Sequence, residues 1–249
     1  MVPPPRILVV MATYNEIDNL PELVDEIRRH LPGAEILVID DNSPDGTGQW
    51  CDSRSASDPQ FRVLHRSGKL GLGSATVAGL RYAIDENYDF AMTLDADFSH
   101  PPHFLPALLA ELTHRDDPAD VVIGSRYVPG GGIEGWPWHR HVMSRCVNWY
   151  TRWMLNLPVR DCSGAFRGFR VAVLRQLPWD QVRSQGYSLL EEMLWMLQRL
   201  GARIREVPIT YVVRTGGQSK ITSQEARAAF WLVLRLWCEG RYGLARRGE

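Results

Sequence analysis

Short apolar strands alternate with amphipathic helical segments through the first half of this 249-residue chain, and this alternation limits the fold more than any other feature. Runs rich in Val, Ile and Leu predict the strands, and apolar residues three and four apart predict the helices between them. The strands are apolar almost throughout, which is typical of a mostly parallel α/β sheet with helices on both faces. The predicted strands are 7–11, 36–39, 61–64, 90–94 and 121–123, and the predicted helices are 20–31, 46–57, 73–86 and 103–114.

The second half of the chain is less regular. A Gly-rich loop at 130–132 precedes a Trp- and Arg-rich segment, 136–157, that we predict to be helical. No repeat, low-complexity segment or linker interrupts the chain, so we expect one domain over 1–249. We further predict a turn and strand at 163–169, a helix opened by a capping box of Ser188 and Glu191, a strand at 204–213, and a last helix that Thr222 and Glu225 cap and that ends near residue 238.

The near-zero formal charge of −1 hides two segments of opposite sign. Residues 1–125, the acidic half, carry 9 Lys and Arg against 20 Asp and Glu, whereas residues 126–249, the basic half, carry 19 against 9. The basic half also holds eight of the nine tryptophans, and nearly all its positive charge is arginine, whose planar guanidinium binds phosphate and carboxylate with paired hydrogen bonds. This composition excludes a disordered tail, a collagen-like repeat and a small disulfide-stabilised module.

The chain shows no sign of secretion or of membrane insertion. Its four cysteines have no metal-ligand spacing, so we expect reduced, mostly buried thiols. The N-terminal apolar run is too short for a signal peptide. The longest apolar run near the C-terminus, 228–234, would span about 10 Å as a helix, against about 30 Å for a bilayer core. We therefore expect a cytoplasmic protein without transmembrane helices.

Acidic clusters follow three of the predicted strands: TYNE at 13–16, DDNSPDG at 40–46, and Asp95 with Asp97. The carboxyl ends of parallel strands meet at one edge of a sheet, so these clusters should converge. Converging carboxylates need a cation among them, and hard oxygen ligands suit Mg²⁺ or Mn²⁺ shared with substrate phosphates. A lone Asp-x-Asp is more often only a turn, but three clusters on strand ends favour a metal site.

A dinucleotide-binding fold is the alternative for GLG at 71–73, which precedes a helix. The third glycine of that motif is replaced by Thr76, and the motif follows the third strand where the fingerprint requires the first. These glycines are therefore better explained by a tight turn.

Several basic residues of the second half are placed to meet the carboxylates. Arg126 directly follows the fifth strand, and Arg140 and Ser144 share one face if their segment is helical. Arg214 and Lys220 flank glycines in a loop, where backbone can approach a phosphate closely. Two further residues remain open at this point: His100 is a candidate base or a structural residue of a turn, and Glu192 either lines the site or faces solvent.

Taken in order, these motifs resemble those of the polyprenol-phosphate (dolichol-phosphate) mannosyltransferases, which are inverting family 2 glycosyltransferases of the GT-A fold. The resemblance runs from Thr13 to Lys220. It implies a Rossmann-like nucleotide-sugar and metal half at 1–125, an acceptor half at 126–222, and a C-terminal amphipathic helix and tail at 223–249, as in the soluble catalytic type. It rests on TYNE, DDNSPDGT, GLGSA, DADFSHPP, GSRY, Trp136 with Arg140 and Ser144, SGAFRGFR, GYSLLEEM, EVPI and R-x-x-G-x-S-K.

The resemblance also implies roles for individual residues. Ala12 departs from the family's usual proline, and Ser99 stands where some members have glutamine, so water could supply the third metal ligand. The implied nucleotide-sugar contacts are Tyr14, Glu16, Ile39, Asp41, Asp95 and Lys220; the ligands of Mg²⁺ or Mn²⁺ are Asp95, Asp97 and Ser99; the acceptor-phosphate contacts are Arg140 and Ser144; and the catalytic residues are Asp97, Arg126 and Arg214.

The expected reaction is transfer of a hexose, mannose from GDP-mannose, to a polyprenyl phosphate with inversion. The sequence shows no catalytic triad and no clear general base, and a phosphate acceptor with a second pKa of about 6 needs none. Two alternatives stay open: a polyprenyl-phosphate hexosyltransferase that uses a UDP-sugar, and a non-catalytic module that binds lipid or nucleic acid. Under the favoured hypothesis we expect no nucleic-acid partner.

Tryptophan and arginine intermix in two predicted helices of the basic half. This mixture is typical of a helix at the surface of an anionic bilayer, although about half of the tryptophans would fit a protein core equally well. We predict that at least one of the two helices lies on the cytoplasmic face of a membrane, with a small transmembrane protein as a further expected partner. The helices carry Trp136, Trp138, Trp149 and Trp153, and Phe230, Trp231, Leu234 and Trp237.

Overall fold

A seven-stranded, mostly parallel sheet forms the centre of the protein. The computed structural model describes residues 3–184, 186, 188–213 and 223–242, without the side chains of 223–228 and 241–242. The strands are β1 (Ile7–Thr13), β2 (Ala34–Asp40), β3 (Phe61–His65), β4 (Phe90–Thr93), β5 (Val121–Ser125), β6 (Gly132–Glu134), β7 (Arg167–Arg170), β8 (Ile204–Pro208) and β9 (Thr210–Val212). The helices are α1 (Leu20–His30), α2 (Thr47–Ser57), α3 (Leu72–Asp85), α4 (Leu105–Leu112), α5 (Trp138–Leu155), α6 (Val171–Leu174), α7 (Leu189–Arg199) and α8 (Ser223–Tyr242), with a 3₁₀ turn at Pro102–Phe104.

The strand order is β3-β2-β1-β4-β7-β5-β8. Strand β7 is antiparallel to both of its neighbours, and the other adjacent pairs are parallel. The order reverses between β1 and β4, and ligands bind at such a reversal in open α/β sheets. The predicted α/β class and mostly parallel sheet are thus confirmed.

The apolar strands are buried because helices cover both faces of the sheet. Along β1, Leu8 and Val10 pack into the core formed with α3, α7 and α8, whereas Val9 and Met11 pack into the core formed with α1 and α4. Burial on both faces explains why a central strand such as β1 is almost entirely apolar.

Helix α3 lies unusually close to β1 because Gly79 has no side chain. A Cβ atom at Gly79 would lie 2.2 Å from Cγ1 of Val10. This close packing brings the loop before α3 to the carboxyl end of β1, where the functional site lies.

Two sequence predictions about local structure are wrong. Segment 204–213 is two strands: β8 pairs with β5, and β9 leaves the sheet to pair with β6. The change occurs after Pro208, which lacks an N–H. At the next residue, the Ile209 N–H donates to the Ser125 carbonyl and the Ile209 carbonyl accepts from the Gly132 N–H.

The proposed capping box at the start of α7 is also wrong, because the Ser188 side chain makes no capping hydrogen bond. The proposed cap at Thr222 lies outside the described residues.

The cysteines only partly match expectation. All four are free thiols; Cys51 and Cys162 are buried, Cys238 is half-buried and Cys146 is exposed on α5. No helix within the described ranges is long and apolar enough to cross a bilayer.

Candidate active site

The carboxylates at the end of β2 are buried and are hydrogen-bonded to other protein groups. Asp40 accepts hydrogen bonds from the Ser43 hydroxyl at 2.5 Å and the Thr13 hydroxyl at 3.5 Å. Burial of a carboxylate is favourable only when such donors replace water. Asp40 therefore stabilises the edge of the sheet and is not presented to a ligand.

Asp41 fixes the loop that leads into α3. Its carboxylate pairs with Arg66 and accepts the backbone N–H groups of Leu70 and Gly71 at 3.0 and 3.2 Å. Arg66 also donates to the Ser74 hydroxyl at 2.6 Å and to the Gly71 carbonyl at 3.0 Å. Arg66 is not among the residues predicted from the sequence, and its one visible signal there is its position after a strand. A nucleoside role for Asp41 stays a prediction, and its structural role is to hold this loop at the site.

The other residues predicted to contact the nucleoside differ in how accessible their side chains are. Tyr14 is half-buried, and the Lys69 ammonium lies 4.3 Å from its ring centroid. Glu16 is buried and accepts a hydrogen bond from the Asn19 amide at 3.0 Å. Ile39 has its side chain in the core, so only its main chain could contact a nucleoside. Tyr14 and Lys69 therefore form the accessible part of this edge.

Asp95 and Asp97 lie at the carboxyl end of β4 and are half-exposed. The loop that carries them is tightly organised: the Asp95 N–H donates to Nδ1 of His100 at 3.2 Å, and the Ser99 N–H donates to Asp97 at 3.1 Å. Between them, Phe98 has a φ of 62°, a left-handed conformation that costs a bulky residue energy and that recurs at functional sites. We call residues 95–100 the metal loop.

The metal loop fits a divalent cation that is shared with a substrate. Asp95 and Asp97 supply hard carboxylate oxygens, and the buried Ser99 hydroxyl beside them makes no hydrogen bond of normal geometry among the described residues. No three His, Cys, Asp or Glu side chains in the described ranges converge as a complete cage. Two carboxylates completed by phosphate oxygens is the usual way in which proteins hold Mg²⁺.

Arg126 reaches this edge but is buried in a salt bridge. Its Nε and Nη2 atoms both donate to Asp161 at 2.7 Å, and Nη2 also donates to the Ser163 hydroxyl at 2.9 Å. Burial opposes both charges, yet their attraction outweighs it, so the pKa of Asp161 is lowered and that of Arg126 is raised. Asp161 is not among the residues predicted from the sequence, and its signal there is an acidic residue near the SGAFRGFR motif in a segment poor in acidic residues.

The helical prediction that joined Arg140 to Ser144 is confirmed, since both lie on α5. Arg140 is half-exposed, with its guanidinium carbon 4.1 Å from the ring centroid of Trp136. The Ser144 hydroxyl lies 2.6 Å from the Tyr127 hydroxyl. Arg140 is therefore better placed than Arg126 to offer its charge to an incoming phosphate. Arg214 and Lys220 lie outside the described residues, and their roles stay predictions.

Neither candidate base is presented to a substrate. Burial lowers the pKa of His100 to about 4, so the ring is neutral at pH 7 and uses Nδ1 to accept the Asp95 N–H. Glu192 is buried, and its carboxylate accepts the backbone N–H groups of Arg183 and Ser184. The expectation that Glu192 lines the site or faces solvent is thus wrong; it anchors the segment before α7.

A cleft opens beside Asp95 at the reversal of strand order. It lies between the start of α3, the ends of β1 and β4, and the start of α7. Its lining is Val10, Ala12, Leu72, Gly73, Thr76, Thr93, Leu94, Asp95, Ala165, Gly186, Leu189 and Leu190.

This fold and its carboxylate edge define a class, the glycosyltransferases of the GT-A type. Residues 8–177 match the family described as Glycosyl transferase family 2. The chain is 43% identical to an undecaprenyl-phosphate mannosyltransferase of Micrococcus luteus, over 98% of this chain and 96% of that protein. It is 39% identical to a polyprenol monophosphomannose synthase of Mycolicibacterium smegmatis, over 98% and 91%. A glucosyl-3-phosphoglycerate synthase from Mycobacterium tuberculosis, solved with Mn²⁺, UDP and phosphoglyceric acid, superposes with a TM-score of 0.63 at 20% identity, covering 94% and 78% of the two chains.

The chain therefore belongs to glycosyl transferase family 2 and, within it, to the polyprenyl-phosphate mannosyltransferases. It is a glycosyltransferase. This membership decides against the non-catalytic module considered above.

Proposed function

We propose that this enzyme transfers mannose from GDP-mannose to a polyprenyl phosphate, with inversion and with a divalent cation at the metal loop. The names of the two curated relatives support the sugar and the acceptor. The observation that carries the proposal is the half-exposed pair of Asp95 and Asp97 at the point where the strand order reverses. The neighbouring carboxylates of Asp40 and Asp41 are buried and already bonded to protein donors.

Asp95 and Asp97 would hold Mg²⁺ or Mn²⁺, which would stabilise the charge that develops on the departing nucleoside diphosphate. His100 keeps the loop in place by accepting the Asp95 N–H, so the two carboxylates are positioned before substrate binds. Tyr14 and Lys69 line the edge at which the nucleoside would lie. Most of the rate would come from this positioning and from electrostatics.

On the acceptor side, Arg140 would bind the lipid phosphate and orient one of its oxygens toward the sugar. The Nε1 of Trp136 is a buried donor without a partner among the described residues, and it adds a hydrogen-bond donor beside Arg140. A phosphate monoester is largely dianionic at pH 7, so it can attack without losing a proton to a base. The burial of His100 and Glu192 is consistent with such an acceptor.

The lipid tail of the acceptor would lie along a face of α5 and α8 that we call the tryptophan face. The exposed fractions of its largest side chains are 77% for Trp138, 64% for Trp149, 70% for Trp153 and 65% for Trp231. The rings of Trp149 and Trp153 stack at 6.1 Å, and Tyr150 joins the two helices by stacking on Phe230 at 5.2 Å. Exposed tryptophan amid arginine suits the headgroup region of an anionic bilayer, so we place this face on the cytoplasmic surface of a membrane.

The second candidate donor is a UDP-sugar. A carboxylate pair and a cation bind the diphosphate and do not contact the sugar, so they do not distinguish the two donors. Purified enzyme with Mn²⁺ or Mg²⁺ should be offered labelled GDP-mannose, UDP-glucose and UDP-galactose, each with undecaprenyl phosphate or with undecaprenol, which has no phosphate. We expect label in extractable lipid from GDP-mannose and the phosphate acceptor alone. Transfer from a UDP-sugar would overturn the donor, and transfer to undecaprenol would overturn the argument that no base is needed.

A further inference from the structure

Tyr211 lies where the two sides of the active site meet. Its ring contacts the ring of His100, in the metal loop, with centroids 5.4 Å apart and planes at 77°. It also contacts the ring of Trp136, with centroids 5.5 Å apart and planes at 65°. The guanidinium carbon of Arg126 lies 5.8 Å from the Tyr211 centroid. One side chain therefore contacts the metal loop, the buried salt bridge and the acceptor side.

The backbone beside Tyr211 makes the same connection. The Val212 N–H donates to the Ser99 carbonyl of the metal loop at 3.1 Å. The Val213 N–H donates to the Glu134 carbonyl of β6 at 3.1 Å, and β6 leads directly to Trp136 and α5. Strand β9 is thus hydrogen-bonded to the metal loop and to the strand that precedes Arg140.

We propose that Tyr211 is a positioning residue that holds the metal loop at a fixed separation from Trp136 and Arg140. Trp136 contacts the Tyr211 ring edge-to-face and carries the Arg140 guanidinium over its own ring, so the chain of contacts runs from His100 through Tyr211 and Trp136 to Arg140. This inference rests on the proposed function, in which the two ends of that chain hold the donor diphosphate and the acceptor phosphate.

The physical reason lies in the geometry of phosphate attack. Misplacing reacting groups by about 1 Å can cost about 100-fold in rate. Edge-to-face aromatic pairs add attraction beyond the area that they bury, so the two pairs made by Tyr211 help to fix the metal loop relative to Trp136. Tyr211 would thus affect donor and acceptor sites together.

Tyr127 offers a matched control. Its ring also lies near Arg126, at 5.3 Å, and its hydroxyl pairs with Ser144 on α5. Its contacts in the described structure are with the buried salt bridge and the acceptor side, and not with the metal loop. Removal of the Tyr127 ring should therefore disturb the acceptor side alone.

The first test needs neither metal nor substrate. Amide hydrogen exchange should be measured over residues 94–100 in the wild-type chain and in Tyr211→Ala, Tyr211→Phe and Tyr127→Ala. We expect exchange at least tenfold faster in Tyr211→Ala, because the loop loses its aromatic support, and wild-type exchange in Tyr211→Phe and Tyr127→Ala. Unchanged exchange in Tyr211→Ala, or equal acceleration in Tyr127→Ala, would overturn the proposal. Should Tyr211→Ala fail to fold, Tyr211→Leu carries the same expectation.

The second test separates this inference from the proposed function. Mn²⁺ binding is measured in the presence of GDP, with free Mn²⁺ detected by electron paramagnetic resonance. The affinity for Mn²⁺ should fall about tenfold in Tyr211→Ala and stay at the wild-type value in Tyr127→Ala. The KM for undecaprenyl phosphate should rise in both variants. Wild-type enzyme that transfers no mannose would refute the proposed function. The hydrogen-exchange result would then decide by itself whether Tyr211 positions the metal loop. A Tyr211→Ala variant with wild-type Mn²⁺ affinity would refute the positioning role.

Discussion

In the acidic half, Asp40 and Asp41 are buried against Ser43 and Arg66, whereas Asp95 and Asp97 on the next strand but one are half-exposed. The basic half shows the same division. Arg126 is buried against Asp161, with 8% of its side chain exposed, whereas Arg140 stacks on Trp136 and is half-exposed.

The difference between these groups lies in their surroundings, since the four aspartates and Arg126 all lie at the ends of strands and Arg140 lies in the first turn of α5. The buried charged groups build the site through their protein partners, whereas the half-exposed ones remain accessible to substrate. Substrate binding needs both the buried and the exposed charged groups, because the exposed groups are positioned only when the buried groups hold their loops. Substitution of each group tests which of the two roles it has.

The largest effect should come from Asp97→Ala in the acidic half. We expect transfer to fall by about 1,000-fold or more, because the cation that balances the leaving diphosphate loses a ligand. The melting temperature should stay within about 2 °C of wild type, since the side chain is half-exposed.

Asp40→Asn is the matched control for Asp97→Ala. It should lower the melting temperature, because a buried acceptor of two hydroxyl groups changes its hydrogen-bonding pattern. Steady-state assays and calorimetry on both variants measure the contrast. Full transfer by Asp97→Ala would show that this carboxylate does not hold the cation.

In the basic half, Asp161→Asn should destabilise the protein by about 3 kcal/mol or more, because it leaves the Arg126 guanidinium buried without its counter-charge. Arg140→Ala should change stability by only about 0.5 kcal/mol and raise the acceptor KM instead. Urea unfolding of the two variants measures the difference. Equal unfolding midpoints for Asp161→Asn and wild type would contradict a structural role for the pair.

A pH-dependent effect should come from Glu191, which is buried and has no hydrogen-bond partner for Oε2 among the described residues. Burial raises the pKa of Glu191 from 4.5 to about 7. Between those values the folded chain keeps a proton that the unfolded chain releases, so stability falls as the pH rises from 4.5 through 7.

Glu191→Gln removes this titration. Its melting temperature should exceed that of wild type by roughly 5 °C at pH 8, and the difference should shrink toward pH 5. Thermal scans across that range provide the measurement. A difference that is independent of pH would show that Glu191 titrates normally.

The smallest effect should come from the tryptophan face. Replacing Trp149 and Trp153 together by serine should weaken binding to vesicles of anionic phospholipid by about tenfold, with folding unchanged because both rings are exposed. Replacement of Trp195, which packs in the core, should instead destabilise the protein. Vesicle flotation measures this binding. Equal recovery of the wild type and the double variant would show that this face does not bind the membrane.

Local patterns explain why much of the fold could be predicted. The five parallel strands and the Asp95–Asp97 motif are signalled by neighbouring residues, and all lie where expected. Arg66 and Asp161 could not be found in this way, because their partners are 25 and 35 residues distant in the chain. Tyr211 depends on the change of sheet after Pro208, which apolar periodicity alone does not reveal.

The role of Asp95 and Asp97 is tested most directly by the transfer of labelled mannose from GDP-mannose to undecaprenyl phosphate, with the metal removed by EDTA and then restored. We predict no labelled lipid after EDTA treatment, recovery on addition of Mn²⁺ or Mg²⁺, and no recovery in Asp97→Ala. Labelled lipid that forms at the same rate in EDTA would contradict the role assigned to Asp95 and Asp97.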